Sequence, residues 1–309
     1  MNAATVILLY AAALTWLAPP LLRRVTAGGI HPRLGVAAWL TAVGGAVAAW
    51  FAALAVLLVD AVASMWRNSA LTLCLKVLGF AGHIGVPQPI GSALALGLLV
   101  TGLGVTPVVA LNVTRRLRRM RSHSHRHALT ARMIGHATDR PGVVVIPGEE
   151  AAAYCVTGRP PAVVVTTAAR DRLDEPQLAA VLAHEAAHLS GRHHDVLMVL
   201  RALAAALPRL PLFPAAADGV AGLLEMCADD IAVRRHGTVP LLGGLLALVG
   251  QPPVASAALG AADSAVVARA ERLALPAPGR IRWRDRLVLT SVIGLWAAAP
   301  MTVMLTCQL

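Results

Sequence analysis

The chain has 309 residues, of which 57% are hydrophobic and only 14% are charged. Because an average soluble domain carries about a quarter of charged residues, this composition indicates a membrane protein. The formal net charge is +11, which in a membrane protein is a topology signal. Direct binding of nucleic acid is not expected, since no aromatic residues are interleaved with the arginines.

Four segments are long and apolar enough to cross a bilayer as helices of about 20 residues. The first has no basic residues before it, so we expect an uncleaved anchor rather than a signal peptide. With their loops, residues 1–113 are predicted to hold three spans, and residues 287–309 a fourth. The segments are approximately Ala3–Leu22, Leu34–Val59, Ile90–Val113 and Leu287–Thr306.

The arginines are distributed unevenly between the connecting segments. The loop after the first span carries Arg23, Arg24 and Arg33, and residues 114–127 read "TRRLRRMRSHSHRH". Positive charge collects on the cytoplasmic side, so we expect a multi-pass protein of a bacterial-type plasma membrane with its N-terminus outside. The basic stretch is interpreted as a juxtamembrane linker on anionic lipid headgroups; metal or nucleic-acid binding by its histidines is the weaker alternative.

Residues 128–286 differ in composition and are predicted to form a cytoplasmic domain. Short β-branched runs bounded by glycine and proline, Gly142–Pro147 and Pro161–Ala168, predict two strands, and Ala151–Gly158 predicts a third. A helix should follow, because Asp174 is a good N-cap and Gln177 stands three residues later. Gly191 is its expected end.

This helix contains "HEAAH", in which His184 and His188 are four residues apart and therefore on one face. Two neutral imidazoles suit zinc, and Glu185 is placed to take a proton from a water at the metal. The four cysteines lack the C-x-x-C spacing of a thiolate zinc site. A catalytic zinc needs a third protein ligand, and "EMCADD" offers Glu225 with Asp229 one turn further on. Glu225 is therefore the candidate third ligand, and Asp229 the candidate partner of a ligand imidazole.

The stretch from Ala153 to Asp195, with HExxH, followed by "EMCADDIAVRRHG", resembles the membrane-embedded zinc peptidases of the BlaR/MecR antirepressor type. HtpX-type proteases are more distant relatives. The resemblance implies an α-helical membrane protein with about four transmembrane helices and a cytoplasmic α+β, zincin-like metalloprotease domain. It further implies that His184, His188 and Glu225 hold one zinc ion, that Glu185 is the general base and that Asp229 orients His184.

The same resemblance implies a substrate and a way of binding it. The expected substrate is a winged-helix DNA-binding repressor, whose cleavage would release transcription. The strand at Val163, Val164, Val165 and Thr166 would be the edge along which an extended substrate pairs. His236 is a tentative stabiliser of the oxyanion.

Two departures from these families leave alternatives open. Antirepressor sensors carry a penicillin-binding domain with an SxxK serine, whereas Leu73 stands three residues before Lys76 here. Either a separate sensor protein then supplies the signal, or the trigger is something else, such as the 61–89 loop or the membrane itself. A homo-oligomer is the other candidate partner. HtpX-type chains carry a hydrophobic hairpin between HExxH and the third ligand, but residues 195–220 are interrupted by arginine and proline and are predicted to lie on the membrane surface.

The alternatives are an HtpX-type quality-control protease and a non-catalytic membrane receptor or scaffold. His193 and His194 are interpreted as capping the HExxH helix. Residues 261–275 are interpreted as an amphipathic helix that covers the cytoplasmic domain.

Overall fold

The computed structural model describes residues 3–66, 88–248, 259–275 and 277–307. Three long helices come first, a four-stranded sheet follows, and seven helices complete the described part. Their bounds are α1 (Ala3–Thr26), α2 (Pro32–Trp66), α3 (Gln88–Ile134), β1 (His136–Ala137), β2 (Val143–Ile146), β3 (Ala153–Val156), β4 (Ala162–Thr166), α4 (Thr167–Arg172), α5 (Glu175–Ser190), α6 (His193–Ala206), α7 (Leu212–His236), α8 (Thr238–Leu248), α9 (Leu259–Ala274) and α10 (Gly279–Cys307).

Three helices in the described residues are long and apolar enough to cross a membrane. Their apolar stretches are Val6–Thr26, Pro32–Val59 and Leu96–Ile134, which match the first three predicted spans. The fourth predicted segment lies within α10, which is helical, and its role as a span stays a prediction. Residues 67–87, including Lys76, lie outside the described part of the chain.

The third apolar helix does not end where the sequence predicted a linker. α3 continues without a break from Gln88 through the arginines to Ile134, 47 residues in all. Arginine has a helix propensity close to that of leucine, so the basic stretch has no local reason to end the helix. At its far end Ala128 and Ala131 pack against Val156 and Val164 of the sheet. Residues 114–127 are therefore a helical connection between the apolar helices and the sheet.

The sheet has the strand order β1–β2–β4–β3. β2, β3 and β4 are the three predicted strands, and β1 is a two-residue addition that the sequence did not indicate. β4 pairs in parallel with β2 on one side and antiparallel with β3 on the other. The prediction that Val163, Val164, Val165 and Thr166 form a substrate-binding edge is therefore wrong, because both sides of β4 are paired. Its five fully buried residues are typical of a central strand, and β3 is the edge strand.

Residues 195–220 form most of α6 and the first third of α7. Rather than lying apart on a surface, this part of α7 is buried against α1 and α2, with Leu212 and Phe213 in one cluster with Leu22 and Trp39. Gly219 makes the close approach feasible, because a Cβ there would lie 3.0 Å from the Trp39 ring. α7 thus joins the apolar helices to the site formed by its second half.

Candidate metal centre

The HExxH helix begins as the sequence predicted. The Asp174 carboxylate accepts from the Gln177 backbone N–H at 2.8 Å, and the Gln177 side chain accepts from the Asp174 N–H at 3.2 Å. This capping box satisfies two otherwise unpaired amides at the helix start. It fixes the beginning of α5 three turns before His184.

Small residues bring α5 and α7 together. Ala180 and Ala183 of α5 are buried in one cluster with Ala232 of α7, and Ala228 is fully buried at the same contact. Alanine faces allow two helices to approach closely, so short side chains can meet across the contact. The carboxylates of α7 therefore reach the histidines of α5.

Three predicted ligands converge at this contact. His184 Nε2 lies 3.2 Å from His188 Nε2. Glu225 Oε2 lies 3.4 Å from His184 Nε2, and Glu225 Oε1 lies 3.5 Å from His188 Nε2. A tetrahedral zinc ion with ligand bonds of about 2.0–2.2 Å holds neighbouring ligand atoms about 3.3–3.6 Å apart. The three side chains are thus spaced as ligands of one such ion, and two imidazoles with one carboxylate form a donor set that zinc prefers.

Asp229 lies behind His184, as its spacing from Glu225 predicted. Its Oδ1 is 3.1 Å from Nδ1 of His184, on the side of the ring away from the other ligands, although the angle is not that of a formed hydrogen bond. A carboxylate in this place selects the tautomer that leaves Nε2 free for a metal. Asp229 is completely buried.

Arg269 of α9 completes this charge cluster, and the sequence analysis missed it. Its Nε and Nη2 donate to Asp229 Oδ2 and Oδ1 at 2.8 and 2.6 Å, and its Nη1 lies 3.2 Å from Glu225 Oε2. One guanidinium thus contacts both carboxylates that flank His184. The only sequence signal was one of two arginines, Arg269 and Arg272, in a helix that was interpreted as covering the domain. Nothing in that pattern indicated that its side chain would be 9% exposed and point into the site.

The protonation of the cluster follows from these contacts. Burial alone would raise the pKa of Glu225, but its contacts with His184 and His188 and the charge of Arg269 lower it. Burial alone would lower the pKa of His184, but its contacts with Asp229 and Glu225 raise it to about 9. Without a metal, the carboxylates are therefore ionised and His184 carries the proton that a metal would replace.

His193 contacts the other ligand histidine. Its Nδ1 lies 2.9 Å from Nδ1 of His188. The Nδ1 atom of His188 therefore has a neighbouring polar group, just as the Nδ1 atom of His184 has Asp229. The turn between α5 and α6 makes this contact, because Arg192 adopts a left-handed conformation with φ of 50°. The expectation that His193 and His194 cap α5 is wrong: the cap is Gly191, and His194 instead lies 3.1 Å from Ser124.

Glu185 is close to the edge strand β3. Its carboxylate lies close to the backbone N–H and the thiol of Cys155. Burial raises the pKa of Glu185, while the neighbouring histidines oppose that shift. Burial and the Glu185 charge together raise the pKa of the Cys155 thiol to about 12. Cys155 is therefore a neutral thiol, and Glu185 is the group here suited to accept a proton.

His236 is not brought to the cluster. It is the last residue of α7 and is exposed, eleven residues after Glu225 and thus about 16 Å further along the helix axis. We therefore do not assign it to the oxyanion.

A partly buried Glu185 beside a His184–His188–Glu225 group that could hold a metal ion is the arrangement expected of a metallopeptidase, and the described part of the chain also has three helices long and apolar enough to cross a membrane. Comparison with known proteins agrees: residues 114–238 match Peptidase family M48. The matched part contains His184, Glu185, His188 and Glu225 and ends before Arg269. The match confirms the predicted class of membrane metalloprotease but does not extend to the antirepressor-type assignment. No curated protein and no solved structure matches the chain.

Proposed function

We propose that this protein is a membrane-bound zinc endopeptidase. The observation that carries the proposal is the spacing of His184, His188 and Glu225, whose Nε2 atoms and carboxylate oxygens lie 3.2 to 3.5 Å apart, as expected around a tetrahedral metal ion. A bound zinc ion would supply Lewis acidity to the scissile carbonyl and make a water acidic enough to ionise near neutral pH.

Glu185 is the proposed general base. It is partly buried beside both histidines, and its raised pKa brings its proton affinity closer to the operating pH. It takes a proton from the attacking water and delivers it to the amine that leaves the scissile bond. Asp229 and Arg269 hold His184, and His193 holds His188. These residues keep the ligand set in place while the substrate is exchanged.

The edge strand β3 is the proposed substrate-binding strand. β3 is paired on one side only, with β4, and the N–H of Cys155 on its other side reaches Glu185. An extended peptide that pairs with this edge would pass directly beside the general base. The expected substrate is therefore an unfolded or extended segment of a protein.

The decisive experiment is Glu185→Gln in the full-length chain. We expect the variant to bind one zinc ion per chain, because its ligands are unchanged, and to lose peptide cleavage by at least about 100-fold, since general-base catalysis contributes about that much. Glu175→Gln is the matched control, as Glu175 is exposed and pairs with Arg140 outside the site. Cleavage by Glu185→Gln at the wild-type rate would overturn the mechanism. A wild-type chain that binds no stoichiometric zinc would favour a non-catalytic scaffold.

The proposed biological role is regulatory cleavage of a DNA-binding repressor on the cytoplasmic side. Support comes from the resemblance of the motif region to antirepressor peptidases and from the arginines after the first and third apolar segments. Quality control of membrane proteins is the second candidate. It is favoured by Leu73, which stands where an SxxK sensor ending in Lys76 would need its serine.

Two measurements separate these roles. Proteomes of cells with wild-type or Glu185→Gln protein should differ at one or two transcription factors if the role is regulatory, and at many membrane proteins if it is quality control. The cytoplasmic placement is tested by cysteine labelling of a residue introduced at exposed Arg170. The four native cysteines are first replaced by serine, and labelling of position 170 by an impermeant reagent from outside intact cells would then contradict it.

A further inference from the structure

A groove between α3 and α6 begins as an apolar cavity of about 370 Å³. Its walls are formed by Val109 and Val113 of α3, by Leu203 of α6 and by Leu207 directly after α6, and Trp50 of α2 closes one side. The indole of Trp50 donates to Thr106 of α3 at 2.9 Å, so α2 and α3 are joined beside the cavity. Its volume is within the range of about 300–1,000 Å³ typical of ligand sites.

Past Val113 the same groove becomes basic. A second cavity of about 530 Å³ is lined by Arg115, Arg116 and Arg119 of α3 and by Arg201 of α6. Among the described residues, none of these guanidinium groups forms an ion pair with a carboxylate. Four cations that line one cavity without a protein counter-ion favour an anionic ligand.

The two cavities lie along one face of α3. Val109, Val113, Arg116 and Met120 follow one another at intervals of three or four residues, which places them in a row on the helix surface. The lining contributed by α3 is apolar up to Val113 and gains Arg115, Arg116 and Arg119 beyond it, and α6 contributes Leu203 to the apolar cavity and Arg201 to the basic one. The groove therefore has an apolar end and a cationic end in direct succession.

We propose that this groove binds one anionic phospholipid, with an acyl chain in the apolar cavity and the phosphate on the arginine cluster. Arginine binds phosphate through two parallel N–H donors, and basic pockets between membrane helices are typical sites for anionic headgroups. A free phosphate ion would contact the arginines but leave the apolar cavity empty. An apolar substrate helix would fill the apolar cavity but leave the arginines without a counter-ion. The groove arginines thus form a defined site within the wider basic stretch of α3.

The test compares two pairs of arginines on the same helix. The full-length chain is purified in phosphatidylcholine nanodiscs that contain a minority of phosphatidylglycerol, and bound lipid is counted by native mass spectrometry. We expect one tightly bound phosphatidylglycerol per wild-type chain. Arg116→Gln/Arg119→Gln should weaken it by about 30-fold, since each removed charge costs about fivefold. Arg118→Gln/Arg121→Gln removes the same charge outside the groove and should change binding by less than about threefold.

A second variant tests the apolar half. Ala110→Trp fills the apolar cavity without touching the arginines, and we expect it to lose phosphatidylglycerol while thermal unfolding shows an intact fold. Equal losses from the two arginine pairs would overturn the proposal in favour of a diffuse basic surface. Unchanged lipid binding by Ala110→Trp, with competition by inorganic phosphate, would overturn it in favour of a simple anion site. Equal binding of phosphatidylcholine would also overturn it.

Discussion

Arg269→Gln is the most informative substitution outside the matched domain. Arg269 makes two charged hydrogen bonds to Asp229, at 2.8 and 2.6 Å, and a third contact to Glu225 at 3.2 Å. Asp229 is completely buried. With glutamine at position 269, its negative charge would be balanced by His184 alone. Breaking a buried ion pair in this way costs about 3–5 kcal/mol of folding free energy. We expect a loss near the lower figure, because protonated His184 still faces Asp229.

The effect on zinc should be separate from the effect on folding. Loss of a group that orients a metal ligand lowers metal affinity by about 10- to 100-fold, and Arg269 acts on His184 through Asp229. Zinc affinity is measured by competition with a chromophoric chelator, and stability by thermal unfolding of the zinc-free protein. Arg269→Lys keeps the charge but loses the two-pronged contact, so we expect it to recover part of the stability and less of the zinc affinity.

Arg272→Gln is the matched control on the same helix. Arg272 pairs with Asp230, which is not part of the His184–His188–Glu225 cluster, so stability should fall while zinc affinity stays unchanged. The double variant Arg269→Gln/Asp229→Asn removes both buried charges and should be more stable than Arg269→Gln alone. The reasoning is refuted if Arg269→Gln binds zinc as tightly as wild type, or if Arg272→Gln weakens zinc as much.

Three further predictions address the rest of the site. His193→Ala should lower zinc affinity about tenfold by releasing His188, whereas His194→Ala, whose partner is Ser124, should not. Because the pKa of His184 is raised to about 9, zinc must displace its proton below that pH; apparent zinc affinity should therefore rise by about tenfold per pH unit and level off above pH 9. A flat profile from pH 7 to 9 would exclude this. Cys155→Pro removes the backbone N–H that helps to lower the pKa of Glu185, so the pKa of Glu185 should rise and the acidic limb of the kcat–pH profile should shift upward at unchanged zinc affinity, while Cys155→Ser should leave the profile unchanged.

The local features of the site could be predicted from the sequence because they depend on short-range spacing. His184 and His188 lie on one face because of helical periodicity. The cap at Asp174 depends only on residues 174 to 177, which are consecutive in the sequence. Glu225 was predicted from the chemistry of zinc, which requires a third ligand, and the structure brings it to the histidines.

The features that were missed depend on tertiary contacts. Pairing on both sides of β4 is set by strand order, and a run of four β-branched residues is equally consistent with an edge or a central position. Arg269 reaches Asp229 across 40 residues of sequence, so no local pattern indicates its role. His193 depends on the left-handed backbone of Arg192, a conformation that arginine rarely adopts and that its sequence neighbours do not predict.

Because α3 is one continuous helix, a small bend in its apolar part would move its far end by a larger distance. The helix runs on for 27 residues after Pro107, about 40 Å, and its end is held against β3 and β4 through Ala128 and Ala131. A hinge of only about 5° at the proline would swing Ile134 by about 3.5 Å over that length. A displacement of that size would reach the strand that carries Cys155, which lies next to the Glu185 carboxylate.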